Sequence, residues 1–98
     1  MGKLESSFQS GLIKDIEKQN PGCVVMKTNP NQVQGVPDLL VLYKDKWAAL
    51  ECKKEKDAAR QPNQPYYVEL MDHWSFARFV HPGNKEEVLY DLQQTLRS

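Results

Sequence analysis

The stretch from Gly35 to Lys53 constrains the fold more than any other part of the chain. Apolar residues from Leu39 to Tyr43 are followed by Lys44 and Asp45, and a second apolar run comes directly after this polar break. Two apolar runs with a brief polar break between them predict a β-hairpin. Both runs are apolar at successive positions, so we expect helices to cover both faces of the sheet.

The register of this hairpin decides whether two carboxylates meet. If the loop consists of Lys44 and Asp45 alone, Asp38 lies directly opposite Glu51. Directly opposed side chains have Cβ atoms about 4.5–5.5 Å apart, a distance at which two carboxylates repel each other. A divalent cation turns that repulsion into a ligand set, and Mg²⁺ prefers carboxylate oxygens completed by water or phosphate. The two-residue period of a strand also places Lys53 on the face of Glu51.

The loop is the least supported part of this prediction. Lys44 and Asp45 do not include the glycine that tight two-residue hairpins prefer. A slip of one residue would move one carboxylate to the opposite face of the sheet. The predicted cation site therefore depends on the register.

Length and composition indicate one small intracellular domain. At 98 residues the chain is expected to form a single domain over residues 1–98. Its 13 basic and 13 acidic residues balance, so the net charge neither indicates nor excludes nucleic acid. The sequence contains no apolar run of membrane length, which predicts a cytoplasmic protein that does not enter membranes. Cys23 and Cys52 lie in apolar strands, as buried cysteines of a reducing compartment do.

The segment before the hairpin predicts a helix and a strand. Apolar residues recur at helical spacing from about Lys3 to Gln19, which predicts a first helix. The short run from Cys23 to Lys27 contains β-branched residues and predicts the first strand. Thr28 to Val36 is rich in turn formers and predicts a loop. Glu5 lies at the edge of the helical apolar stripe, where a glutamate complementing the helix dipole is the ordinary explanation.

The segment after the hairpin predicts a helix, a strand and a last helix. Pro65 belongs in the first turn of the second helix, which should begin near residue 63 or 64 with Trp74 facing inwards. Gln64 would then face inwards at the helix N-terminus, either as a cap or as a contact for a phosphate or a metal-bound water. Ser75 to Val80 predicts the last strand, and Asn84 resembles the start of a capping box for a third helix.

These motifs, in this order, resemble the PD-(D/E)xK nuclease superfamily. Its signature is matched by Pro37-Asp38 and Glu51-Cys52-Lys53, and the predicted order matches its restriction-endonuclease-like αβββαβ(α) core. The finer pattern resembles the VRR-NUC branch, with Gly35-Val36-Pro37-Asp38, Glu51-Cys52-Lys53, and Gln64 followed by Tyr67. The resemblance runs from Glu5 to about Val80 and implies an α/β fold with a mixed four-stranded sheet flanked by helices.

The resemblance also implies a metal site. Asp38 and Glu51 would be metal ligands, helped by the backbone carbonyl of Cys52. Glu5 would hold the metal directly or through a water. Glu17, the competing acid of the first helix, lies about 18 Å from Glu5 at 1.5 Å per residue and cannot take its place.

Lys53 and Gln64 complete the implied catalytic set. Lys53 would orient or help to deprotonate the attacking water and would stabilise charge on the phosphate. A carboxylate two residues away keeps a lysine protonated, which favours the electrostatic role. Gln64 would steady Lys53 or the water.

The activity that the resemblance implies is hydrolysis of DNA phosphodiester bonds with Mg²⁺, for which Mn²⁺ can substitute. Members that consist of this domain alone resemble phage-type nucleases that act on branched DNA as homodimers, so we expect a Holliday junction resolvase. One alternative is a nuclease of the same chemistry that cuts flaps, nicks or duplex DNA. Another is a nuclease-like module that binds DNA or a replication protein without cutting.

Overall fold

A computed structural model describes residues 3–29, 31–55 and 64–98 of the chain, with side chains for residues 6–29, 31–55 and 65–98. Within these ranges the predicted order of elements is confirmed. The elements are α1 (Lys3–Gln19), β1 (Val24–Lys27), β2 (Leu39–Tyr43), β3 (Lys46–Cys52), α2 (Gln64–Trp74), β4 (Ala77–Val80) and α3 (Lys85–Arg97). None of the helices in this described part has the length and apolar character that a membrane span needs.

The described strands form one mixed sheet in the order β1-β2-β3-β4. Both contacts of β2 are antiparallel, whereas β3 and β4 are parallel and are connected through α2. The predicted hairpin register is confirmed, because Tyr43 pairs with Lys46 and Leu39 with Leu50. Lys44 permits this tight connection by adopting a left-handed φ of 57°, a conformation that costs a residue with a side chain about 1–2 kcal/mol.

Two apolar clusters lie on opposite faces of the sheet. The larger cluster packs against α1 and α3 and contains Leu39 and Leu50, both fully buried. The smaller cluster lies under α2 and contains Ala49 and Val68. Helices therefore cover both faces, as predicted. Because side chains alternate along a strand, Glu51 lies on the α2 face with Ala49.

The N-terminus of α2 lies at the end of the sheet where β3 finishes. Ser75 follows the last residue of α2, and its hydroxyl donates a hydrogen bond to the carbonyl of Trp47 near the beginning of β3. The helix packs on β3 and β4, whereas Val24 and Met26 of β1 are about half exposed on the same face. Trp74 was predicted to face inwards, and this prediction is wrong, since its side chain is 62% exposed. Helical spacing predicts which side of α2 faces the sheet. Trp74 is the last residue of α2, however, and the chain leaves the helix at Ser75.

The connection between β4 and α3 does not contain the predicted capping box. The side-chain oxygen of Asn84 accepts a hydrogen bond from the backbone N–H of His81 at 2.8 Å. Its side-chain amide donates to the carbonyl of Phe79 at 3.0 Å. Asn84 therefore closes the turn and makes no side-chain hydrogen bond to the helix. The helix that follows buries an apolar face of Val88, Leu89, Leu92 and Leu96.

Candidate metal centre

The carboxylates of Asp38 and Glu51 are each held by a backbone hydrogen bond from across the end of the hairpin. Continuing the observed register places the two residues opposite each other. The backbone N–H of Asp38 donates to Oε1 of Glu51 at 3.1 Å. The backbone N–H of Cys52 donates to Oδ2 of Asp38, also at 3.1 Å. Each carboxylate therefore accepts a hydrogen bond from the opposite strand, at the point where the hairpin ends.

Pro37 explains why regular strand pairing stops at this point. The same register places Pro37 opposite Cys52, and a proline has no backbone N–H to donate to the neighbouring strand. The side chain of Pro37 is buried, and its carbonyl accepts a hydrogen bond from the hydroxyl of Thr28 at 2.7 Å. The Pro37 carbonyl accepts the Thr28 hydroxyl, and the Cys52 N–H donates to the Asp38 carboxylate, so a side chain takes a place in the hydrogen-bond pattern at the end of the hairpin.

Glu51 is a buried acid with charged neighbours. Its side chain is 2% exposed, and it pairs with Phe79 of β4 on its other side. Burial first, and then the negative charge of Asp38, raise the pKa of Glu51 from 4.5 to about 7, although Lys53 and the hydrogen bond from the Asp38 N–H act in the opposite direction. The two carboxylates are thus close enough to repel each other, as the register predicted.

Lys53 places a cationic side chain on the same face. The Nζ atom of Lys53 lies 3.5 Å from Oε2 of Glu51. The side chain of Lys53 is itself buried. The backbone N–H of Lys53 donates to the carbonyl of Val80 at 2.8 Å, so β4 holds the residue in place. By contrast, Lys54 is exposed. The sheet therefore holds the backbone of Lys53 in place, and the side chain lies beside Glu51.

This donor set fits a hard divalent cation. Two opposed carboxylates that raise each other's energy are stabilised by a positive ion, and oxygen atoms are the ligands that Mg²⁺ prefers. Among the residues that the structure describes, no group of three or more His, Cys, Asp or Glu side chains is placed to hold a metal. Asp38 and Glu51 would therefore share the ion with backbone carbonyl, water or phosphate oxygens, or with groups outside the described side chains.

Two predicted site residues, Glu5 and Gln64, have side chains outside the described residues. Glu5 belongs to α1, and Gln64 is the first residue of α2. Gln64 is at the end of α2 that lies beside the end of β3. The opposite end of this helix is next to the beginning of β3, where Ser75 contacts Trp47. Their roles stay predictions.

Thr28 belongs to the site, although the sequence placed it in a loop. Its backbone N–H donates to the carbonyl of Asp38 at 2.9 Å, which continues the pairing of β1 with β2. Its hydroxyl lies 2.7 Å from the carbonyl oxygen of Pro37 and 3.2 Å from that of Asp38. The available signal was a β-branched residue directly after a predicted strand, and the turn formers that follow it obscured this signal.

Solved structures with the same fold are described as VRR_NUC domains. The chain is 21% identical to a "VRR_NUC domain" structure with a TM-score of 0.72, which covers 91% of this chain and 97% of that one. It is 15% identical to a "VRR_NUC domain protein" with a TM-score of 0.67, covering 99% and 91% respectively. No family model and no curated protein sequence matches the chain.

A further similar structure is that of Archaeoglobus fulgidus Hjc, a Holliday junction resolvase from an archaeal hyperthermophile. The TM-score is 0.52 at 13% identity, over 78% of this chain and 67% of that one. These similarities confirm the predicted fold class, a restriction-endonuclease-like α/β fold with a mixed sheet flanked by helices. The resemblance to VRR-NUC domains that the motifs indicated is confirmed in the fold.

Proposed function

We propose that this protein is a metal-dependent, structure-specific endonuclease that hydrolyses phosphodiester bonds in branched DNA, with the four-way Holliday junction as its substrate. The observation that carries the proposal is the arrangement of Asp38, Glu51 and Lys53 on one face at the end of the β2–β3 hairpin. Two carboxylates and a buried amine in contact are costly to a fold that makes no use of them. The same fold occurs in Hjc, a Holliday junction resolvase.

The proposed metal ligands are the carboxylates of Asp38 and Glu51 and the backbone carbonyl of Cys52, with Glu5 as a further ligand. When bound, Mg²⁺ or Mn²⁺ neutralises charge on the phosphate and lowers the pKa of a water that can attack it. The hairpin contributes orientation, because the hydrogen bonds from the Asp38 and Cys52 N–H groups hold both carboxylates on one face.

Lys53 is proposed to stabilise negative charge on the phosphate during the reaction. Its Nζ lies 3.5 Å from Oε2 of Glu51, at the centre of the proposed site. A charged amine held by the sheet can act on a phosphate without being reoriented during the reaction, which is where fixed charges contribute most. Gln64, at the start of α2, is proposed to steady Lys53 or the attacking water.

A homodimer is proposed as the active form. A two-fold dimer presents two sites to two strands, which suits a four-way junction of matching symmetry. Sizing the protein at micromolar concentration, with and without the junction, tests this part of the proposal. A monomer under both conditions would contradict it.

The substrate is tested with labelled DNA. A four-way junction, a flap, a nicked duplex and an intact duplex are incubated with the protein in Mg²⁺, Mn²⁺ or EDTA. We expect the junction to be cut fastest and EDTA to abolish cutting. Faster cutting of flaps, nicks or duplex would leave the chemistry intact and change the substrate, whereas no cutting of any DNA in either metal would refute the proposed activity.

Lys53→Ala distinguishes a nuclease from a binding module. We expect the variant to bind the junction but to cut it at least 100-fold more slowly, because a charge that stabilises a transition state has been removed. Lys54→Ala is the matched control, since the neighbouring lysine is exposed and its loss should leave cutting nearly unchanged. Equal loss of cutting in both variants would indicate a general effect of positive charge on DNA binding.

A further inference from the structure

Thr28 contacts the two residues that begin the proposed site with both its backbone N–H and its hydroxyl. Its backbone N–H donates to the carbonyl of Asp38 at 2.9 Å. Its hydroxyl donates to the carbonyl of Pro37 at 2.7 Å and lies 3.2 Å from that of Asp38. The backbone contact belongs to the pairing of two strands. The hydroxyl contact with Pro37 is an additional one that most residues at this position could not make.

The peptide unit between Pro37 and Asp38 is held at both ends. No cis peptide bond occurs among the described residues, so the carbonyl and the N–H of this unit point in opposite directions. Its carbonyl oxygen, from Pro37, accepts the hydroxyl of Thr28. Its N–H, from Asp38, donates to Oε1 of Glu51 at 3.1 Å. The hydroxyl of Thr28 is thus connected to the carboxylate of Glu51 through the planar peptide group between Pro37 and Asp38.

We infer that Thr28 is a positioning residue of the metal centre, whose hydroxyl fixes the orientation of the Pro37–Asp38 peptide and, through it, that of the Glu51 carboxylate. The presence of a metal is taken from the proposed function. The orientation of the Pro37–Asp38 peptide is independent of that function. Without the hydroxyl, the Pro37 carbonyl loses the hydrogen bond that holds this end of the peptide, and the peptide plane can turn about ψ of Pro37 and φ of Asp38.

The inference separates two contributions of the same residue. Thr28→Val has nearly the same shape and retains the backbone N–H that pairs with Asp38, but it has no hydroxyl for Pro37. Thr28→Ser retains the hydroxyl and loses a methyl group. If Thr28 only connects β1 to β2, both substitutions should have similar and purely structural effects. If it positions the metal centre, only the valine variant should affect metal binding.

The experiment measures Mn²⁺ binding by calorimetry in the absence of DNA, under conditions in which every variant is folded by circular dichroism. We expect Thr28→Val to bind Mn²⁺ about 10-fold more weakly, as is usual when a group that orients a metal ligand is lost, and Thr28→Ser to stay close to the unmodified protein. Thr95→Val is the matched control, since Thr95 lies on α3 and makes no contact with the hairpin in the described contacts. Cutting by Thr28→Val should recover at high Mg²⁺ concentration.

Hydrogen exchange of the Asp38 amide, measured by NMR, supplies a second readout. We expect faster exchange in Thr28→Val than in Thr28→Ser, because the N–H is no longer aimed steadily at Glu51. Equal Mn²⁺ affinity and equal exchange in both variants would overturn the inference, as would equal losses in both. If the unmodified protein binds no Mn²⁺, the proposed function fails, while the exchange comparison still decides whether the hydroxyl orients the peptide.

Discussion

In the metal-free protein, the contribution of Glu51 to the free energy of unfolding decreases as the pH rises. Burial first, and then the charge of Asp38, raise the pKa of Glu51 in the folded protein from 4.5 to about 7. The unfolded chain lacks both effects, so there the group ionises near its ordinary value. Between these two pH values the folded protein holds a proton that the unfolded chain has lost. The stabilisation is complete below pH 4.5 and disappears as the pH rises through about 7.

The effect is large for a small protein. Each pH unit between 4.5 and about 7 lowers the free energy of unfolding by about 1.4 kcal/mol, which gives a total of about 3 kcal/mol. The direction is opposite to that of an ion-paired surface carboxylate, which stabilises a protein as the pH rises. For a protein with a total stability of about 5–15 kcal/mol, a change of this size shifts a urea midpoint clearly.

Glu51→Gln isolates this contribution from other titrating groups. The substitution removes the ionising group and keeps a side-chain oxygen that can accept the Asp38 N–H. The variant should gain stability over the unmodified protein as the pH rises, by about 3 kcal/mol between about pH 5 and about pH 8. Urea unfolding in EDTA, followed by tryptophan fluorescence, measures the difference. Glu55→Gln is the control, because Glu55 is exposed and the same change of charge there should have little effect.

Mg²⁺ completes the test. Because a cation binds the ionised form of Glu51, it should restore the stability of the unmodified protein above about pH 7 and should do little for Glu51→Gln. Parallel pH profiles for the unmodified protein and Glu51→Gln in EDTA would refute the reasoning, since they would mean that the folded and unfolded chains bind the Glu51 proton equally well.

Three further predictions concern the hairpin and its core. Leu50→Ala should lower the free energy of unfolding by about 2–5 kcal/mol in urea titrations, whereas Val24→Ala, at a half-exposed position, should lower it by less than about 1 kcal/mol. Lys44→Gly should raise it by up to about 1 kcal/mol, because glycine adopts the left-handed φ at little cost; a loss of stability would contradict that account of the turn. Asp38→Asn should abolish Mn²⁺ binding in calorimetry and lower the pKa of Glu51 in an NMR titration, and an unchanged pKa would show that the carboxylates do not interact.

The hairpin register was predictable because the core decides it. Lys44 and Asp45 are poor residues for a tight turn, yet the register with a two-residue connection is the one observed. A slip by one residue would have moved the fully buried Leu39 from the larger apolar cluster to the opposite face of the sheet, under α2. Keeping Leu39 in its cluster therefore outweighs the cost of the left-handed conformation at Lys44. The pairing of the strands determines the conformation of the turn. The meeting of Asp38 with Glu51 follows from the same register.

Thr28 could not be predicted in the same way, because nothing local determines how β1 aligns with β2. A long polar loop joins these strands, and its length is compatible with several registers. Only the observed pairing of Lys27 with Leu39 places Thr28 beside Asp38. The exposed Trp74 illustrates the corresponding limit for helices, since periodicity predicts the side of a helix that faces the sheet but not where the contact ends.

The candidate site is built from the last residues of the hairpin and from the hydrogen bonds that would otherwise join its strands. Pro37 has no N–H to offer the neighbouring strand, and the N–H groups of Asp38 and Cys52 donate to the two carboxylates. The backbone therefore holds both carboxylates at the end of the hairpin. Protonation and cation binding can then compete at Glu51 while the hairpin keeps its shape, which requires that metal affinity decrease with falling pH below about 7.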